Sequence, residues 1–309
     1  MKVNPQVQIQ QVDLPLLREK EISLFIQRDD TLHPHVSGNK WRKLKYNVLE
    51  AQRLGKSCLL TFGGAFSNHI AATAAAAQIA GMKSVGIIRG KDADPDNSTL
   101  KFAASCGMEL RYIDRSEFRA LRDAGWKGDI LKSYSEAYVL PEGGSNDLAV
   151  KGCTEISENW NEQYDYACCA LGTGATFAGL VTGVPNDTIC LGFPAIKDQG
   201  YLQEEVSKYL IGAKGKQWEL IRDYHFGKYG KVNESLIQFM NDFYAQTKIP
   251  LDPIYTGKMM YGLLDMIQSD YFASGTKIIA IHTGGLQGIS GINDRLHKKG
   301  QLGLNYPWE

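Results

Sequence analysis

Short β-rich apolar runs alternate along this chain with longer segments of helical period, and that alternation limits its fold more than any other feature. The strand-like runs are EISLFIQ (21–27), SCLLTFG (57–63), SVGIIRG (84–90), ELRYI (109–113), YACCALG (166–172), TICLGF (188–193) and KIIAIHT (277–283). Most are solidly apolar rather than alternating, as parallel strands covered on both faces are. Helical patterns fall at 40–54, 68–80, 97–106, 146–160, 174–183, 200–210, 231–247, 257–272 and 286–298. Gly55, Gly81 and Gly107 close three of them, where a helix terminus favours a left-handed residue. This punctuation predicts an α/β fold with parallel sheets.

The chain's 309 residues suit two compact lobes or one large α/β unit. No internal repeat, low-complexity tract or long linker interrupts it, and the nearest thing to a boundary is the glycine-rich PEGGSND at 141–147. Lobes are therefore expected to interleave. With 34 basic and 34 acidic residues the formal charge is zero, which gives no electrostatic case for a nucleic-acid or membrane-surface partner. No apolar run approaches the roughly 18 residues of a membrane helix, and MKVNPQVQIQQVDLPLLREK lacks the apolar core of a signal peptide. The six cysteines form no CxxC pair, and several lie in strand-like runs. They read as reduced, buried, small apolar residues of a cytoplasmic protein, with no metal site.

Four stretches could carry chemistry. HVSGNKWRKLKYN (35–47) crowds Lys40, Arg42, Lys43 and Lys45 behind a glycine. A lysine becomes a nucleophile when part of its population is neutral, and neighbouring cations disfavour the ammonium form. The plain alternative is a solvated, basic first helical turn, mildly unfavourable against the macrodipole. The stretch alone does not choose among its lysines.

In TFGGAFSNHIAATAAAAQIAG (61–81) an apolar strand runs through Gly63-Gly64 into Ser67, Asn68 and His69 at the start of an alanine-rich helix. Polar side chains beyond the carboxyl end of a parallel strand mark the crevice where open α/β sheets bind ligands, and a helix start favours an anion such as a carboxylate. A simple helix cap needs only one such residue. ALGTGATFAGL (170–180) repeats the arrangement: Gly172, Thr173, Gly174, Ala175 and Thr176 allow close backbone approach and offer hydroxyl donors to a phosphate. It lacks a P-loop lysine, and Phe177 stands where a dinucleotide fingerprint needs its last glycine, so a small monoester phosphate is the better fit.

Finally, DPIYTGKMMYGLLD (252–265) places Tyr255 before a helix, and AIHTGGLQG (280–288) places His282 and Thr283 at a strand end. Tyr255 could serve as an acid/base or substrate contact, Thr283 as the hydroxyl partner of a heterocycle nitrogen, and His282 as a packing histidine. An amine nucleophile, a carboxylate pocket, a monoester-phosphate cup and a hydroxyl partner jointly point to pyridoxal phosphate handling an amino acid.

In this order the motifs resemble those of the tryptophan-synthase-β-like (fold type II) pyridoxal-phosphate enzymes, in particular the 1-aminocyclopropane-1-carboxylate deaminase/D-cysteine desulfhydrase branch. That branch's GNKxRKL reads here as Gly38-Asn39-Lys40-Trp41-Arg42-Lys43-Leu44, and its GG-x-x-SN-[QH] as Gly63-Gly64-Ala65-Phe66-Ser67-Asn68-His69. PEGGSN, GTGAT, DPIYTGK and HTGG complete a match over most of the chain. The resemblance implies a two-lobed, three-layer α/β/α fold with twisted, mostly parallel sheets. It also implies a small domain at 46–150 inserted into a large cofactor-binding domain of 1–45 and 151–309, and a homodimer.

By the same resemblance Lys40, not Lys43, bonds the cofactor, and Asn68 holds its ring hydroxyl. Gly172, Thr173, Gly174, Ala175 and Thr176 wrap its phosphate, and Thr283 lies near its pyridine nitrogen. Ser67 contacts the substrate carboxylate, with Asn68, His69 and Tyr255 as further substrate contacts. Either Lys40 or Ser67 takes the Cα proton, and Tyr255 assists the leaving group. The implied activity is that of a lyase or deaminase on a small amino acid, foremost D-cysteine desulfhydrase-like β-elimination to pyruvate, ammonia and sulfide. The alternatives are 1-aminocyclopropane-1-carboxylate deamination, racemisation, and a non-catalytic ligand-binding relative. Ring-opening members of the branch carry a second tyrosine shortly before HxGG. Ile278-Ile279-Ala280-Ile281 hold none, which leaves Tyr261 or Tyr271 as substitutes.

Overall fold

The structure, a computed structural model, describes residues 6–198, 200–228 and 230–307. Its strands are β1 (Ile9–Val12), β2 (Ser23–Gln27), β3 (Cys58–Gly64), β4 (Lys83–Arg89), β5 (Met108–Ile113), β6 (Ala137–Val139), β7 (Tyr166–Leu171), β8 (Ile189–Pro194), β9 (Gln217–Leu220) and β10 (Lys277–Ile281). The described residues divide into two compact units, one of 33–36 and 40–152, the other of 6–32, 37–39 and 153–307.

The first unit holds a parallel sheet in the order β5-β4-β3-β6. Leu60, Phe62, Val85 and Ile87 pack on one side with Phe118 and Leu121 of the helix Arg115–Asp123. Ile70, Ala74, Ile88, Leu100, Ala103 and Met108 fill the other side. Each such buried Leu, Ile or Phe contributes about 1.5–3 kcal/mol. The helix Asn68–Ile79 is buried from His69 through Ala77, which its short alanine side chains permit because they let a helix be enclosed all round. The register pairs Gly64 with Arg89, so β3 and β4 end at the same edge, where the chain turns toward Ser67.

The second unit holds the order β1-β2-β10-β7-β8-β9, parallel throughout except for β1 against β2. Leu24, Ile26, Leu191, Phe193, Met259, Leu263 and Ile278 belong to its large apolar core. Beyond the carboxyl ends of β7, β8 and β10 stand Gly172, Ala195 and His282.

Three edge strands and two helices lie outside the apolar runs. β1, β6 and β9 are short, and in QWEL only Leu220 is buried. The helices Pro15–Glu19 and Arg115–Asp123 bury only Leu17, and Phe118 with Leu121, so charge masks their period. The helix expected over 146–160 stops at Thr154 and passes into a tight turn, Glu155–Ser157. All six cysteines are free; four are buried, whereas Cys58 and Cys106 are partly exposed, which corrects the expectation for those two. Burial pushes the Cys190 thiol up to about 12, in keeping with a packing role. Among the described residues no helix is long and apolar enough to cross a membrane, and no cluster of His, Cys, Asp and Glu could hold a metal ion.

Candidate active site

In the second unit the two residues preceding Lys40, Gly38 and Asn39, are held by Asp29, Thr283 and Thr176. Gly38 adopts φ +63° and donates its N–H to the Asp29 carbonyl at 3.0 Å. A Cβ at Gly38 would fall 2.0 Å from the Thr283 carbonyl oxygen, so the position requires glycine for conformation and for space. Asn39 donates its backbone N–H to that same carbonyl at 3.2 Å and its side-chain amide to Thr176 Oγ1 at 2.8 Å. The HTGG turn is set in its turn by His282, whose Nε2 donates to the Pro250 carbonyl at 2.7 Å while Nδ1 accepts from the Gly284 N–H at 3.2 Å. His282 is thus a buried packing histidine, and Thr283 is buried beside it.

Gly172–Thr176 form the entry to the buried helix Ala175–Gly183. Gly174 takes φ +84°, no side chain caps the helix, and no acidic residue occupies its first turn. The N–H groups of that turn have no partner within the helix and face whatever lies beyond it, an arrangement suited to an anion. Because Thr176 Oγ1 accepts from Asn39, its own hydrogen remains available for donation. Tyr255 closes over the start of this turn: a Cβ on Gly172 would meet its ring Cε1 at 3.1 Å and its hydroxyl at 3.4 Å. Buried Asp252 holds Tyr255 in place by accepting from the N–H groups of Ile254, Tyr255 and Thr256 and from the Thr256 hydroxyl, at 2.7–2.9 Å.

In the first unit Gly63 leaves room for Ser67 to fold back, since a Cβ there would sit 2.8 Å from Ser67 Oγ. Ser67 caps the helix Asn68–Ile79, accepting from the Ile70 N–H at 3.4 Å. Ser67 and Asn68 are half-buried at the helix start. His69 is fully enclosed. The Thr61 hydroxyl gives its hydrogen to the Leu140 carbonyl at 3.1 Å, so at 2.9 Å His69 Nε2 must donate to Thr61 Oγ1. Among the described residues Nδ1 then has no hydrogen-bond partner. Burial first, and then the charges of Lys43 and Lys40, holds the imidazole well below its ordinary value of 6.5.

The basic stretch is no solvated face. Arg42 and Lys43 are buried, on the helix Asn39–Arg53. Lys43 donates to the Gly143 carbonyl and, at 3.0 Å, to Ser145 Oγ, within a loop where Gly143 and Gly144 are both left-handed. One turn on, Asn47 exchanges side-chain hydrogen bonds with Asn146 at 2.7 and 3.2 Å and accepts from the Tyr138 hydroxyl at 3.0 Å. PEGGSN is therefore the dock of this helix, and Lys43 belongs to that dock. Lys40 is only half-buried. Sequence reasoning assigned no role to Asn39, Asp252 or Lys258, although each stands inside a quoted motif.

The two proposed substitutes for a second tyrosine are placed elsewhere in the second unit. Tyr261 packs against Tyr224, Phe226 and Phe239. Tyr271 hydrogen-bonds Glu219 and packs edge-on against Phe272, which meets Tyr166 at the amino end of β7, opposite to Gly172.

Within the second unit, a glycine-lined helix entry without its own cap and a hydroxyl with a hydrogen to spare form a donor set suited to a phosphate. Residues 7–284 match the pyridoxal-phosphate dependent enzymes, and the chain belongs to that family. It is a pyridoxal-phosphate enzyme of α/β fold, similar to the deaminase and desulfhydrase branch that its motifs resemble. A Pyrococcus horikoshii protein provisionally named 1-aminocyclopropane-1-carboxylate deaminase is 32% identical over 90% of this chain and 89% of its own length. A D-cysteine desulfhydrase of Klebsiella pneumoniae is 31% identical over 85% of this chain and 86% of its own. A crystal structure described as an ACC deaminase homologue matches with a TM-score of 0.84 at 26% identity, over 96% of this chain and 95% of that one.

Proposed function

We propose that this protein eliminates the β-substituent of a small amino acid, D-cysteine foremost, to give pyruvate, ammonia and sulfide. The observation that carries this reading is the phenol of Tyr255 held over Gly172, with Tyr261 and Tyr271, the two substitutes considered for a second tyrosine, engaged elsewhere. One acid suffices to protonate a departing thiolate. Opening a cyclopropane ring by the branch's route calls on two tyrosines.

Pyridoxal phosphate, when bound, supplies the electron sink that makes the Cα–H bond of an amino acid breakable. Lys40 would hold it covalently, residues 172–176 its phosphate, and Asn68 and Thr283 its ring. Ser67 and Asn68, at the start of a helix, bind and orient the substrate carboxylate, with His69 beneath them fixing that start. Either the Lys40 amine or Ser67 Oγ takes the Cα proton, and Tyr255 gives a proton to the leaving group. The homodimer and the domain limits at 46 and 150 remain part of this reading.

The deciding experiment offers the purified protein D-cysteine, L-cysteine, β-chloro-D-alanine, D-serine and 1-aminocyclopropane-1-carboxylate, and measures sulfide and 2-oxo acids. Pyruvate with sulfide from cysteine is expected. 2-Oxobutyrate from the cyclopropane substrate, without sulfide from cysteine, would establish the deaminase instead. Enantiomer exchange without 2-oxo acid would establish a racemase.

A further inference from the structure

Lys258, three residues beyond Tyr255 on the helix Thr256–Gln268, is a lysine with 2% exposure in an apolar core. Its Nζ donates to the carbonyls of Ala195 and His225, each at 2.9 Å. Ala195 follows β8, and His225 lies in the loop that leaves β9. The two loops are joined again where the Lys197 N–H donates to the Gly227 carbonyl at 3.1 Å. The β9 loop is wound tightly: Phe226 adopts φ +54°, which a non-glycine residue rarely takes, and His225 Nδ1 accepts from the Gly227 N–H at 2.7 Å. The Phe226 ring rests on Tyr261 of the same helix, with centroids 5.1 Å apart.

A lysine buried only to fill space would be replaced favourably by an apolar side chain of its shape, since enclosing an ammonium is expensive. What an apolar residue cannot do is satisfy two carbonyls from two different loops at once. Asp252 restrains the beginning of the same helix from the other side through the N–H groups of residues 254–256. Tyr255 stands between these two attachments.

We propose that Lys258 is a positioning residue for Tyr255: by gripping the Ala195 and His225 carbonyls it locks the loops after β8 and β9 to the helix start that carries the phenol. The proposal rests on the reading that Tyr255 faces the substrate. Misplacing a group at a reacting centre by about 1 Å can reduce turnover about 100-fold. Loss of the grip should therefore lower kcat rather than weaken cofactor binding.

The test compares wild type, Lys258→Met, Lys258→Arg, Tyr255→Phe and the double variant Lys258→Met/Tyr255→Phe. Lys258→Met should keep the visible absorbance of bound cofactor, lose about 10–100-fold in kcat and change KM by less than about 3-fold. In the cofactor-free protein its peptides covering 195–198 and 222–228 should exchange amide hydrogens faster, while peptides of β7 and β10 do not. Lys258→Arg, which retains donors, should recover part of both effects and serves if the methionine variant fails to fold. The double variant should be no slower than Tyr255→Phe alone, because both changes remove one contribution. Unchanged loop exchange, full kcat in Lys258→Met, or effects that multiply in the double variant would overturn the proposal. The exchange readout needs neither cofactor nor turnover, so failure of the elimination reading leaves a separate signature.

Discussion

Asn39 donates its side-chain amide to the Thr176 hydroxyl at 2.8 Å, which ties the residue preceding Lys40 to the first turn of the helix Ala175–Gly183. If that turn holds the cofactor phosphate, Asn39→Ala should weaken cofactor binding about 10-fold, the loss of roughly one net hydrogen bond of about 1.4 kcal/mol. Titration of the cofactor-free protein by visible absorbance measures this directly. Thr176→Val should cost at least as much, and the double variant should be no worse than Thr176→Val alone.

Gly38 and Gly55 are both left-handed, at φ +63° and +65°, yet they should respond differently to substitution. Nothing lies within 4 Å of a Cβ at Gly55, so Gly55→Ala brings only backbone strain, about 1 kcal/mol. At Gly38 the Thr283 carbonyl stands 2.0 Å from the same atom, and the segment entering Lys40 must move. Gly38→Ala is expected to lose about 2–4 kcal/mol. Urea unfolding of the two variants side by side checks the contrast, and equal losses would refute it.

Lys40 and Lys43 should separate cleanly by two measurements. Lys43→Ala leaves the Gly143 carbonyl and Ser145 Oγ without their buried donor, so a stability loss of about 3 kcal/mol is expected with the cofactor absorbance retained. Lys40→Ala should abolish that absorbance with little change in the melting temperature of the cofactor-free protein. The opposite pattern would transfer the covalent role to Lys43.

The central strands and the glycine turns were legible in the sequence because each is a local signal: an apolar run, then small residues with a defined φ. The distinction between Lys40 and Lys43 was not local. It involves a loop about a hundred residues later, where Gly143 and Ser145 accept from the Lys43 ammonium. His69 likewise depends on residues outside its own motif. Its neighbours Ser67 and Asn68 suggest a ligand-facing side chain, whereas its ring points inward to Thr61 and Thr73, and Gly144 packs against it. Edge strands such as QWEL and AYV carry too few buried residues to mark themselves.

The enclosed imidazole of His69 predicts acid sensitivity. Its folded-state value lies well below 6.5, while in the unfolded chain it titrates near 6.5. Above that pH neither state binds the proton, and the group adds no pH dependence. Below it the unfolded chain takes up a proton that the folded one refuses, so stability falls by about 1.4 kcal/mol per pH unit. Urea midpoints between pH 7 and 5 should therefore fall more steeply for wild type than for His69→Gln, which keeps a donor for Thr61. Parallel curves would show that the imidazole is protonated in the fold.

Lys258 predicts a slope of the same sign in an alkaline window. Burial pushes its ammonium down to about 8 from the ordinary 10.5, with Asp252 pulling weakly the other way. Below pH 8 both folded and unfolded states carry the proton, and the fold bears the full penalty of an enclosed charge. Between 8 and 10.5 the unfolded chain still holds a proton that the folded chain has released, so the wild type gains stability as pH rises. The neutral amine retains two hydrogens, one for each of the Ala195 and His225 carbonyls, so the grip survives deprotonation. Relative to Lys258→Met, the unfolding free energy of the wild type should increase from pH 7.5 to 10 and level off above 10.5. A relative decrease over that range would mean that the ammonium, not the amine, is the form the fold prefers.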